Sequence, residues 1–440
     1  MTAAVNELDR RSLGVLSGGH CSVDLCQGAV PALLPFLIAD RHYSYAAAGM
    51  LVLAATIGSS LVQPLFGALS DRLTLPWLMP VGPFVAGTGV ALIGVMPTFA
   101  LTLIVTLVSG LGVAAFHPEG ARYANYASGE RRGTGMSLFS VGGNVGFALG
   151  PILVTPAVLL LGLHGSLLLV IPPAIAGTVL AIELAHLNRR RRAATEAAAA
   201  EQARDHEATP VDRWGPFTRL GGVIALRSCV YFGLQTFVPL WFVHQLGATK
   251  ALGNAALTAM LVAGAAGTLI GGRLVDRIGR RPVLLGSVVL QLPLLILLVL
   301  VGTGPAVGLL ALIGFVTIAT FSVTVVMGQE YLPGRLGIAS GVTLGLGIGL
   351  GGVGATLLGI LADSAGLPAV MWTIAVLPIP AILLTLTLPA RARGAAASAC
   401  ARRARALRRP GRPGPASTRT TRPRAGCGRG ACRGCAAGGS

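Results

Sequence analysis

From residue 13 to residue 389 the chain is a succession of nearly unbroken apolar runs separated by short polar turns. A helix of about 20 apolar residues spans the hydrocarbon core of a bilayer. The apolar residues are continuous rather than alternating, so the runs read as helices and not as barrel strands, the only other way to satisfy every backbone group in lipid. Charged residues make up 11% of the chain, against about 25% in a soluble domain. Such a chain cannot hide its apolar surface from water. Twelve runs are expected as membrane spans, at residues 13–38, 45–69, 76–96, 98–125, 134–162, 165–187, 218–244, 251–274, 282–302, 305–329, 337–361 and 367–389. The first 12 residues are polar and the run that follows is too long for a signal-peptide core, so it is expected to be a retained first span.

A charged turn occurs twice. Gly67-Ala68-Leu69-Ser70-Asp71-Arg72 follows the second run, and Gly272-Arg273-Leu274-Val275-Asp276-Arg277-Ile278-Gly279-Arg280-Arg281 follows the eighth. The two Asp-Arg pairs are 205 residues apart. Pro35 and Pro239 recur at 204, as do Gly133 and Gly337. Three landmarks within one residue of a common offset suggest parallel repeats related by an axis along the membrane normal. The chain is therefore expected to hold an N-terminal six-helix half (1–187), a cytoplasmic linker (188–217), a C-terminal six-helix half (218–390) and a disordered basic tail (391–440).

Placing both termini in the cytoplasm puts 31 of the 34 Lys and Arg on the inner side, leaving Arg41 and Lys250 outside and Arg227 within a span. Without the 13 Arg of the tail the count is still 18 against 2. The tail has no acidic residue and little aliphatic content, so it cannot bury a core. It is expected to touch anionic lipid head groups. Its Cys427, Cys432 and Cys435 lack His and match no common zinc spacing. Its basic residues have no aromatic partners for bases, so no nucleic-acid partner is expected. Cys21, Cys26 and Cys229 read as small packing residues.

An ionised side chain at the bilayer centre costs about 2.5–3.5 kcal/mol on insertion scales, so such residues need a reason. His20 and Asp24 are four apart in the first run, with Gln27 next along the same face, and could exchange a proton or simply dock the helix. Arg227 lies in the seventh run, with Tyr231 one turn on. It calls for an anion, either Asp24 or a substrate. In Phe116-His117-Pro118-Glu119-Gly120-Ala121-Arg122, Pro118 is expected to break the helix ladder. His117 and Glu119 form a second candidate proton site there, and Glu119 is spaced to pair with Arg122. Asn144 is the one polar group expected to point somewhere specific in the glycine-rich fifth run, whose small residues suit close helix packing, as do those from Gly341 to Gly354.

Asp71 and Asp276 each end a helix, where its dipole disfavours a carboxylate. With Arg72, Arg277 and Arg281 they are the expected gate residues, engaging another helix N-terminus or local Arg in one conformation only.

The repeated Gly-x-x-x-Asp-Arg turn resembles the signature loop of the major facilitator superfamily, and Gly146-x-x-x-Gly150-Pro151 resembles the fifth-span motif of its drug/proton antiporters. A wider set resembles the fosmidomycin resistance protein group: His20-x-x-x-Asp24, Gln63-Pro64, Phe116-His117-Pro118-Glu119, Val141-Gly142-Gly143-Asn144, Arg227-Ser228, Gln329-Glu330 and Pro333-Gly334-Arg335. These residues cover the chain from about 13 to 389. The resemblance implies proton-driven efflux of small drugs; fosmidomycin is a phosphonate, which suits a cationic Arg227.

The expectation is thus an all-α, twelve-helix, two-half transporter in the cytoplasmic membrane, exchanging protons for a small drug-like compound of phosphonate or other anionic chemistry. A proton-coupled importer, a uniporter and a non-transporting sensor with the tail as output arm are the alternatives. No enzyme, cofactor or metal site is expected, since no nucleophile-base pair, metal-ligand cluster or cofactor fingerprint is present. The other expected partners are protons and lipid, and the protein is expected to be a monomer.

Overall fold

The computed structural model describes residues 8–63, 65, 75–129, 131–202, 211–333, 335, 338–339 and 341–389. These are helical almost throughout. In chain order the helices are α1 (Arg10–Arg41), α2 (Tyr45–Thr56), α3 (Leu78–Leu92), α4 (Phe99–Ala127), α5 (Arg132–Leu161) and α6 (Ile171–Gln202). They continue with α7 (Trp214–His244), α8 (Lys250–Ile278), α9 (Arg280–Leu300), α10 (Thr303–Ile318), α11 (Phe321–Tyr331), α12 (Gly347–Val376) and α13 (Pro378–Leu386). Wider π-type turns extend α2 through Ile57–Leu61 and precede α12 at Gly341–Leu346.

Helix starts are set by side-chain oxygens that accept otherwise unpaired N–H groups. Asp9 takes the Ser12 amide at 3.2 Å, Ser44 that of Ala47 at 3.1 Å, Thr98 that of Leu101 at 3.3 Å and Thr249 that of Leu252 at 3.2 Å. Between these caps, eight described stretches are long and apolar enough to cross a membrane. Two of them hold two crossings each: Thr134–Arg189 divides at the 3-10 turn Gly162–Val170, and Gly347–Leu386 divides at Gly366, where φ is 81°. With the shorter apolar helices Tyr45–Ser60 and Leu78–Leu92, each of the twelve expected runs has its helical counterpart.

Three local expectations change. First, α6 does not stop near Leu187 but runs on to Gln202. The Ala, Glu and Gln that follow the apolar run are strong helix formers, and the extension is docked where Tyr123 bonds Asn188 and Arg191 sits 5.9 Å over the Tyr123 ring. Second, α4 passes through Pro118 unbroken. A proline removes one amide from the ladder, and neighbouring spans make that tolerable in a membrane helix. Third, the tenth run is two helices, α10 and α11, parted at Ala319 and Thr320.

The 204-residue repeat is visible in the backbone. The Asp9 amide donates to Ala127 O at 2.8 Å, and 204 residues later the Arg213 amide donates to Tyr331 O at 2.6 Å. Each contact ties the start of one helix, α1 or α7, to the end of another, α4 or α11. The glycine face of α5 lies on α1, with Gly142 against Ser17, Gly146 against Cys21 and Gly150 against Gly28. The buried apolar core runs through α1, α4, α5, α7, α8 and α12. Large apolar residues such as Leu160, Ile182, Leu357 and Leu383 are exposed on the outside of the helices, as a lipid-facing surface requires.

Candidate functional site

Asp24 is buried in the middle of α1. Its Oδ2 lies 3.2 Å from Nε2 of His20, one turn earlier, and its Oδ1 lies 3.4 Å from Nε2 of His117 on α4. Each imidazole is held from behind by a backbone carbonyl: Nδ1 of His20 meets Phe139 O at 2.8 Å and Nδ1 of His117 meets Val113 O at 2.9 Å. A carbonyl only accepts, so both Nδ1 atoms carry hydrogen and both Nε2 atoms are turned to the carboxylate. The His20 ring also stacks on Phe139, with centroids 4.2 Å apart. With both imidazoles neutral, three acceptors would converge. The arrangement is favourable only when it binds at least one proton or another cation. Its donor atoms lie within 4.8 Å of one another, a spread that a divalent ion would also suit.

The glycine of α5 opposite this trio is part of its construction. A Cβ on Gly143 would stand 2.6 Å from Nε2 of His20 and overlap Oδ2 of Asp24. Only glycine lets α5 pass this close.

His117 and Glu119 do not form a joint site. Two positions along a helix differ by about 200° in direction, so His117 faces Asp24 while Glu119 is buried beside Arg122, Oε1 to Nη1 at 3.3 Å. Asn144 reaches across to α8, where its Nδ2 donates to Thr268 Oγ1 at 3.3 Å.

Arg227 is buried in α7 and donates through Nη2 to the carbonyl of Thr317 on α10, beside a polar group in which Gln291 Nε2 donates to Thr317 Oγ1 at 2.7 Å. Its Nη1 has no hydrogen-bond partner, and among the described residues no carboxylate lies within ion-pair distance of it. The bridge from Arg227 to Asp24 is therefore not formed here, because both oxygens of Asp24 face the imidazoles. Tyr231, one turn on, packs edge-on against the Phe232 ring and lies within electrostatic reach of Asp24. Gln27 and Gln235 share the wall of a narrow cleft with Val30, Pro31, Phe147 and Phe232. The cleft lies between α1, α2, α5 and α7, and its polar wall is made by Gln27, Thr56 and Gln235.

The sequence profile of the Major Facilitator Superfamily matches residues 16–343 and 220–418. The chain belongs to the major facilitator superfamily. It is a multi-pass membrane transporter, not an enzyme. It is 34% identical over 369 residues to an uncharacterized MFS-type transporter of Bacillus subtilis (strain 168), covering 83% of this chain and 90% of that one. It is 31% identical over 386 residues to the fosmidomycin resistance protein of Escherichia coli (strain K12), covering 86% and 92%. The fold is that of a bacterial homolog of the human lysosomal transporter Spinster in an inward-facing, occupied conformation, at TM-score 0.67 and 15% identity over 86% of this chain and 96% of that one. The nucleoside transporter NupG is also similar, at TM-score 0.63 and 14% identity over 86% and 99%.

Of the transporter's expected gate residues, Asp71 and Arg72 lie outside the described residues. Asp276 lies in the last turn of α8, with Arg277 exposed beside it. Arg281, in the first turn of α9, donates through Nη2 to Leu386 O at 2.6 Å, where a cation complements the carboxyl end of α13. Sequence reasoning missed four residues that join distant helices. Asn254 of α8 donates to Ala32 O at 3.0 Å and Thr155 Oγ1 at 2.9 Å. Thr317 receives Arg227, Gln235 faces Gln27, and Asp363 of α12 reaches the start of α2. Asp363 carried a usable signal: it ends an apolar run, as Asp71 and Asp276 do. The other three are uncharged and carried none.

Proposed function

We propose that this transporter exports a small anionic compound of phosphonate-like chemistry in exchange for protons, as a monomer in the cytoplasmic membrane with both termini inside. The observation that carries the reading is the placement of Asp24 between two imidazoles whose outer nitrogens are already committed to carbonyls. Such a trio exchanges protons readily, and Gln27, three residues beyond Asp24 on α1, lines a cleft with α2, α5 and α7. Arg227, with one buried nitrogen unspent, supplies the anion anchor, with Tyr231 one turn on and Gln27 and Gln235 in the wall of the cleft. Asn144 ties α5, which packs on the trio through Gly143, to α8, and Glu119 pairs with Arg122 within α4. Asp71, Arg72, Asp276, Arg277 and Arg281 act at the inner gate. The likeness to the fosmidomycin resistance protein supports efflux of that drug class.

Everted membrane vesicles with an acidified lumen test this. They should accumulate radiolabelled fosmidomycin, and a protonophore should discharge it. Accumulation indifferent to the gradient ends the antiport reading, and gradient-driven accumulation confined to right-side-out vesicles replaces export with import. A membrane-permeant chelator should leave the flux unchanged; its loss, with recovery on added zinc, would make the trio a metal site.

A further inference from the structure

We propose that Asp363 is a releasable latch that holds the outer end of the transporter shut, and that its release is required for that end to open. The proposal rests on membership of a transporter family that works by alternating access and on the termini-inside orientation proposed above, and not on the ion, substrate or direction.

The first N–H groups of α2 have no partners within the helix. Ser44, the preceding residue, takes one of them. Two more are taken from the far side of the interface: Tyr45 N donates to Asp363 Oδ1 at 2.8 Å and Ala46 N donates to Asp363 Oδ2 at 2.9 Å. Each carboxylate oxygen is thus used once, on a residue more than three hundred positions away. At the carboxyl end of its own helix segment, which breaks at Gly366, Asp363 is disfavoured by the dipole; docked on the amino end of α2 it is favoured. The carboxylate therefore gains by docking across the interface. The helices are close here: a Cβ on Gly359 would come within 2.5 Å of Tyr45 O.

The repeat shows that this contact is not imposed by the architecture. Shifted by 204, Tyr45 falls on Thr249 and Asp363 falls on Leu159. Thr249 caps α8 alone, and the α5–α8 pair is joined instead by the buried amide of Asn254 on Thr155. The two sides differ in what separation would do. Parting Asn254 from Ala32 and Thr155 strands a polar group among apolar side chains. Parting Asp363, which is exposed, returns a carboxylate and two amides to water. The Asn254 side is built to stay joined and the Asp363 side to release. Among the described residues, the remaining polar and ring contacts between α1–α6 and α7–α13 are Lys250 with Asp40 at 3.8 Å, the same Lys250 ammonium 5.0 Å over the Phe36 ring, the Tyr45 and His244 rings at 6.0 Å, and Asn144 with Thr268 deeper in the bundle. Only the first is another ion pair, and it is long.

The test reads conformation directly. Val52→Cys in the cleft is labelled with a membrane-impermeant maleimide in right-side-out vesicles, against the parent protein with its native cysteines. Adding Asp363→Ala should raise the Val52→Cys labelling rate about tenfold, the scale of two charge-assisted hydrogen bonds discounted for exposure. Adding Asp363→Asn, which keeps one acceptor, should raise it less. Ser44→Ala removes a cap from the same helix without touching the interface and should leave the rate within about twofold. Unchanged labelling in both Asp363 variants overturns the proposal. So does an equal rise in Ser44→Ala, which would make Asp363 an ordinary helix cap. Thermal unfolding in detergent identifies any variant that has not folded, and Asp363→Asn then carries the comparison.

Discussion

Nε2 of His117 stands 3.4 Å from Oδ1 of Asp24, joining α4 to α1 at mid-helix, with Nδ1 of His117 anchored on Val113 O. The second histidine turns an i, i+4 pair into a three-centre site whose charge depends on bound protons. His117→Gln keeps a hydrogen-bonding side chain but cannot be protonated. Gradient-driven flux should fall at least tenfold, and its dependence on pH should flatten, since glutamine does not titrate. Flux measured as a function of pH in vesicles is the check. A profile identical to wild type would remove His117 from coupling.

Gly143→Ala should damage transport without unfolding the protein, because the added methyl group meets His20 and Asp24 directly. Moving one helix aside by a few tenths of an ångström misplaces the trio, and small misplacements at a reacting centre cost about a hundredfold. Gly349→Ala, where nothing lies within 4 Å, is the matched control and should transport normally. Equal activities of the two variants would contradict the close-approach argument.

Arg227→Lys retains charge but loses the fork that can hold Thr317 O and an anion together. The KM for an anionic substrate should rise about tenfold or more, the worth of one hydrogen bond to a charged group at roughly 1.5–3 kcal/mol. Maximal gradient-driven velocity should change less. Competition between fosmidomycin and an uncharged ester of it measures this. If both bind the variant and the wild type in the same ratio, Arg227 does not read charge.

The spans and the repeat were legible because lipid imposes both length and hydrophobicity on every crossing. The His20–Asp24 pair was legible because four residues make one helical turn. His117 was visible as a polar residue in an apolar run, but its partner was misassigned to Glu119, the nearest carboxylate in sequence. Helical spacing alone sends the two side chains in opposite directions, but nothing in a single sequence tells which helix His117 faces. The α6 extension was missed for a related reason: polarity marks the end of the membrane, not the end of the helix. Asp363 was legible by the dipole argument applied to Asp71 and Asp276, yet its target on α2 is set only by tertiary packing.

The two copies of the Asp-Arg turn differ, since Gly272–Arg281 is complete and the first copy continues as Leu73-Thr74-Leu75-Pro76-Trp77 after Arg72. Asp276 therefore has a local set of Arg residues that Asp71 lacks. Asp71→Asn and Asp276→Asn should reduce transport by different factors, with the size of each read from initial rates at matched expression. Equal losses would mean that the two turns do the same work.

The central claim is that the Asp24 trio carries the coupled proton. Asp24→Asn, reconstituted in vesicles, keeps the shape of the side chain and removes its charge. Substrate counterflow without a gradient should survive, while accumulation driven by an imposed proton gradient should disappear. Gradient-driven accumulation that persists in Asp24→Asn at the wild-type level contradicts the account.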